Sequence, residues 1–188
     1  MIGWLHSDYE VGIYAIPKQI VTKLPHISYA VAMGTMPLFA KINRENHGEL
    51  KALFRKLVGY NGLFFLAVAI GIVLTAPFFV PLLFGVEYSG SILPLQILTG
   101  YLMVFTVSVF FNQFLDYQGY AKNRAINLVI SLIVNFCLNL WLIPKYGAIG
   151  AAFSTSVSYI PYLLLNILEV RAVMKKAALK EPSTSDQP

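Results

Sequence analysis

Lys18, Lys23 and His26 are the residues whose type and position point most directly to chemistry. They fall inside Gly12 to Phe39, a stretch that otherwise reads as an apolar span. An ionisable side chain in hydrocarbon is costly unless it faces a wet cavity or finds a partner. Lys23 lies about eleven residues into the stretch, roughly 16 Å along a helix and so near a bilayer midplane. His26 follows it at i+3, the spacing of one helix face, whereas Lys18 is shallower and lies well round the helix. Two readings stay open. In one the cations line a water-filled cavity and attract an anionic substrate. In the other the lysines snorkel to an interface, or pair with a carboxylate from a part of the protein outside this chain. Pro25 withholds a backbone donor and frees the carbonyl of Val21, so a kink is expected beside Lys23. Transporters use such breaks as hinges, and Pro161 is a second hinge candidate.

A second set of polar residues follows a helical repeat. Asn127, Ser131, Asn135 and Asn139 stand four apart, so each advances about 40° round the axis and together they form one slanted stripe. The stripe, with Asn135 as its cavity candidate, lines a substrate path or serves as packing glue between helices; glue is the preferred reading. Gly147 to Ala152, then Ser154, Ser156 and Ser158, read as a close-packing face. Enzyme signatures are missing: there is no His-Glu-x-x-His, phosphate loop or G-x-S-x-G. No catalytic residue, metal site or cofactor is expected. The single Cys137 excludes an internal disulfide and reads as a small buried hydrophobe. Tyr9, Tyr14, Tyr60, Tyr88 and Tyr146 read as interfacial aromatics.

The elements that must position these residues are membrane helices. Leu57 to Val86 contains no Asp, Glu, Lys, Arg or His, and about twenty apolar residues already suffice to span a bilayer. Of the 188 residues 57% are hydrophobic and 12% charged, with a mean hydropathy of +0.65; soluble domains carry roughly a quarter charged residues. The expected fold is an all-α integral membrane protein, a bundle of about five to six transmembrane helices, with spans near 12–39, 57–84, 92–115, 125–143 and 148–168. Residues 1–11 read as the end of a truncated helix and an external loop, 12–173 as the bundle, and 174–188 as a disordered cytoplasmic tail. Glu49–Lys56 reads as a short amphipathic helix on the membrane surface. The segments after spans one, three and five carry five, two and four Lys or Arg, and those after spans two and four only Lys145. Positive residues mark the cytoplasm, so the basic segments and the C-terminus are expected inside. The net charge of +5 thus reads as an orientation signal, not as a nucleic-acid footprint. An N-terminus outside implies a further span before Met1, and the chain is expected to be a fragment.

Four blocks, "DYEVGIYAIPKQI", "MPLFAKI", "PLLFGVEYSGSILPLQIL" and "NLWLIPKYGAIGAAFSTSVS", resemble the C-terminal half of the polysaccharide-biosynthesis (Wzx-like) flippases. These belong to the superfamily that also holds MurJ-type lipid flippases and the MATE exporters. The resemblance runs from about Gly3 to Ala172. It implies one bundle of a two-bundle transporter in the cytoplasmic (inner) membrane, moving a polyprenyl-pyrophosphate-linked oligosaccharide across it by alternating access. It also implies basic side chains in the cavity, a role that Lys18 and Lys23 would fill. The implied partners are membrane lipid, the lipid-linked oligosaccharide, the missing N-terminal bundle and polysaccharide polymerase machinery, with no nucleic acid. Two alternatives are a cation-coupled exporter of small amphiphiles and a non-transporting membrane scaffold subunit. The exporter would be expected to show an embedded carboxylate, and the spans hold no Asp or Glu away from their ends.

Overall fold

A computed structural model describes residues 1–42 and 47–178, and every regular element among them is helical. In order these are α1 (Ile2–Leu5), α2 (Asp8–Lys23), α3 (His26–Ile42), α4 (His47–Phe84), a 3-10 turn (Val86–Ser91), α5 (Ile92–Tyr117) and α6 (Ala121–Ala178). Among the described residues three stretches are long and apolar enough to cross a membrane: Lys51–Phe84, Val86–Tyr117 and Ala121–Lys176.

Local chemistry sets most boundaries. Ser7 caps α2, its Oγ accepting from the Glu10 N–H at 3.3 Å. Leu24 and Pro25 form a turn between α2 and α3, where the proline has no N–H for the Val21 carbonyl. α5 ends in a Schellman turn, with the Tyr120 N–H on the Leu115 carbonyl at 2.7 Å and the Gly119 N–H on Asp116 at 3.2 Å. α6 leaves helical geometry at Gly147 (φ 51°, ψ −127°) and doubles back, so its two arms run antiparallel. Gly150 lets the arms meet closely, since a Cβ there would lie 2.5 Å from the Leu142 carbonyl oxygen. Ala148, Ala151, Ala152 and Ser154 are buried around that contact.

α5 is the hub, with half of its most apolar window buried against 28% for α4 and 22% for α6. One cluster joins Leu95, Leu98, Tyr101 and Leu102 of α5 to Val21, Phe65, Ile72, Ala76, Val80 and Ala152. A second, at the other end, joins Val109, Phe110, Phe114 and Leu115 to Ala32, Phe54, Val170 and Val173. The outward faces are apolar as well: Phe78 is 78% exposed, Leu82 81% and Trp141 62%. Water would tolerate so continuous an apolar surface poorly, whereas lipid suits it.

Four readings from sequence change here. Glu49–Lys56 is no separate surface helix but the opening turns of α4, because its apolar residues Leu53 and Leu57 continue onto the inner cluster that holds Phe54. Cys137 is exposed rather than buried, since the Asn stripe turns the opposite face of its helix inward. Tyr14 is partly buried, its hydroxyl bonded to Thr155 at 3.0 Å, and does not sit free at an interface. The disordered tail expected at 174–188 starts instead as the last turns of α6, which runs to Ala178, and residues 179–188, with 43–46 of the basic loop, lie outside the described residues.

One tie closes the end of the bundle where α2 begins. The Glu10 carboxylate accepts the Ala148 N–H at 2.7 Å, capping the second arm of α6 across 138 residues. Tyr9 donates to the Glu87 carbonyl at 3.0 Å beside it. A Cβ on Gly147 would come within 2.6 Å of Glu10 Oε2, at a positive φ that other residues resist. Gly147→Ala should therefore lower stability by about 2 kcal/mol or more, and Glu10→Ala by about 1 kcal/mol as a lost cap. Thermal unfolding in detergent, with the two midpoints compared, checks the order.

Candidate functional site

The site is built where α2 crosses the folded α6 over the start of α5. A cleft of about 550 Å³ opens there. α2 contributes Tyr14, Lys18 and Thr22, spaced four apart and therefore on one helix face. Leu98 and Tyr101 of α5 line it too, and Ser131, Asn135 and Asn139 come from the first arm of α6. The second arm adds Thr155, Ser158 and Tyr159.

The polar walls are held by one another. Asn139 Nδ2 donates to Asn135 Oδ1 at 2.9 Å, and Asn135 Nδ2 donates to Ser158 Oγ at 3.2 Å. Ser131 Oγ donates to the Ser158 carbonyl at 2.6 Å, and Ser158 Oγ to that of Thr155 at 3.1 Å. Lys18 Nζ lies 5.8 Å from the centre of the Tyr14 ring, within cation–π reach. The cleft thus offers the exposed Lys18 ammonium and a set of amide and hydroxyl groups beside apolar side chains. An anionic, hydroxyl-bearing group suits such a surface, the ammonium through charge and the amides through hydrogen bonds.

The candidates from sequence separate here. Lys18 and Asn135 line the cleft, whereas Lys23 and His26 are exposed outside it. The turn at Leu24–Pro25 falls between those two, so their i+3 spacing no longer defines a common face. Pro25 is buried at that turn, and Pro161 sits inside the second arm, whose backbone stays helical through it. Tyr14, Thr22, Thr155, Ser158 and Tyr159 were not singled out as contacts. The first two were legible from their spacing about Lys18, while the others needed the α6 reversal. Among the described residues no group of His, Cys, Asp or Glu gathers to hold a metal ion.

Beyond the cleft the Asn stripe acts as glue. Asn127 Nδ2 donates to Asn166 Oδ1 at 2.8 Å, and Asn166 Nδ2 donates to Asn112 Oδ1 at 2.8 Å. One fully buried amide thereby joins both arms of α6 to α5. Asn166→Ala would strand both partners and should reduce stability by about 1–3 kcal/mol. Asn127→Ala removes one link only and should cost less, and titration with denaturing detergent measures both.

Comparison with known proteins adds a relationship. Residues 1–93 match the model of a family described as polysaccharide biosynthesis protein. Over 160 residues the chain is 24% identical to the "Probable low-salt glycan biosynthesis flippase Agl15" of Haloferax volcanii, which covers 85% of this chain and 34% of that protein. The chain therefore spans about a third of the length of this curated relative. No solved structure matches. Just under half of the chain is thus similar to the polysaccharide biosynthesis protein family, and most of it shows distant homology to a probable flippase of glycan biosynthesis.

Proposed function

We propose that this chain is the C-terminal bundle of a flippase that moves a polyprenyl-pyrophosphate-linked oligosaccharide across the cytoplasmic membrane by alternating access. Residues 12–173 form the bundle in this reading, with residues 1–11 leading in from a preceding helix and 174–188 a cytoplasmic tail. The missing N-terminal bundle completes the cavity. The observation that carries it is Lys18 in a cleft walled by Asn, Ser, Thr and Tyr, inside a molecule whose outer faces are apolar. The family match and the distant flippase relative support it.

A pyrophosphate cannot enter hydrocarbon uncompensated. An ammonium in a wet cleft supplies countercharge to the head group, and the amides and hydroxyls replace water on the sugar while the prenyl chain stays in lipid. The turn at Leu24–Pro25 gives α2, which carries Lys18, a place to bend as the site changes its exposure, with Pro161 the hinge candidate in α6. The basic helix ends lie on the cytoplasmic side in this reading.

Lys18→Ala, introduced in the full-length protein and scored for surface glycan, should lower export about tenfold or more, the worth of one charge-assisted contact. Lys23→Ala should leave it near wild type. Equal export by the Lys18 variant and wild type, at matched protein levels, would remove the cleft from the pathway.

A further inference from the structure

Two runs of cations that lie more than a hundred residues apart in the chain meet at the same end of the bundle. Lys51, Arg55 and Lys56 open α4, and Arg171, Lys175 and Lys176 close α6; all six are exposed. Their helices are fixed there, not frayed. Phe54 of α4 and Val170 and Val173 of α6 are buried in one cluster round the end of α5. Phe54 packs edge-on against Phe111 and Phe114, with ring centroids 5.2 and 5.6 Å apart. Among the described residues few acids lie near these helix ends. Glu49 is exposed on α4, Glu169 is half-buried, and Asp116 is already paired with Arg124 at 2.6 Å.

Helix length sets the depth. α4 has 38 residues, about 57 Å at 1.5 Å per residue, against a hydrocarbon core of about 30 Å. Its first turns must therefore stand in or beyond the headgroup layer. On the second arm of α6, Arg171 lies roughly 35 Å from the reversal at Gly147, which brings its cations to a similar level. We infer that the two helix ends form a rigid cationic platform that holds the headgroups of anionic phospholipids in the leaflet they meet. Clusters of four to eight Lys or Arg at the membrane surface bind anionic lipid in this way. Here the packed aromatic cluster fixes the spacing of the charges in advance, so little ordering is lost on binding.

The proposal rests on the membrane reading of the chain but not on transport. The test uses the whole chain in nanodiscs of phosphatidylcholine with a minority of phosphatidylglycerol, with the lipid retained after detergent extraction quantified by mass spectrometry. Phosphatidylglycerol should be enriched about fivefold or more over the starting mixture, and the enrichment should fall as salt rises. The combined variant K51Q, R55Q, K56Q, R171Q, K175Q and K176Q should lose it. Arginine at the four lysines should keep it, which separates charge from misfolding. Retained lipid at the starting ratio, or enrichment that survives the six glutamines, overturns the platform alone. A chain that never enters the nanodisc overturns the membrane reading and the platform together.

Discussion

Hydrocarbon offers no water to satisfy a polar group, and that constraint governs how this chain packs. Asn166, fully buried, is the clearest consequence. Its amide donates to Asn112 and accepts from Asn127, so one side chain links three helical segments. Ser28, also buried, is met by Asn61, which reaches the Thr106 carbonyl in turn. The apolar clusters fill space round these links. The bonds fix which helix lies beside which, where apolar surface against lipid gives little orientation of its own.

The same constraint shapes the cleft, where amides and hydroxyls stand beside apolar side chains. Its asparagines and Ser158 are tied to one another, Asn139 to Asn135 and Asn135 to Ser158. The unpaired bonding capacity left over is what a ligand would meet. Lys18 adds the charge, sharing the Tyr14 ring. The bundle also carries a lengthwise asymmetry. Asp8, Glu10 and Glu87 gather where α2 starts, and the Lys and Arg of α4 and α6 gather at the far end.

Helical class, the apolar stretches and the break at Pro25 were legible in the sequence because each follows from chain-local physics. Hydrophobic length selects membrane helices, and proline removes a backbone donor. The stripe at Asn127, Ser131, Asn135 and Asn139 was legible too, since a repeat of four places residues on one face whatever surrounds them. What those asparagines bond to was not, because the partners Asn112, Ser158 and Asn166 lie on other segments.

Tertiary structure alone decided which cation enters the cleft. Sequence depth favoured Lys23, because spacing gives position along a helix and round it but not which face meets its neighbours. α2 packs with its Tyr14, Lys18 and Thr22 face towards the folded α6, and Lys23, five residues on and about 140° round the same helix, is left outside. The Glu10 cap on Ala148 and the packing of two basic helix ends round one aromatic cluster were equally out of reach, although the charge count had put both on one side. Both depend on how the arms of α6 fold back at Gly147 and pack round α5, and no local pattern of residues encodes a contact between segments whose arrangement is set by their packing.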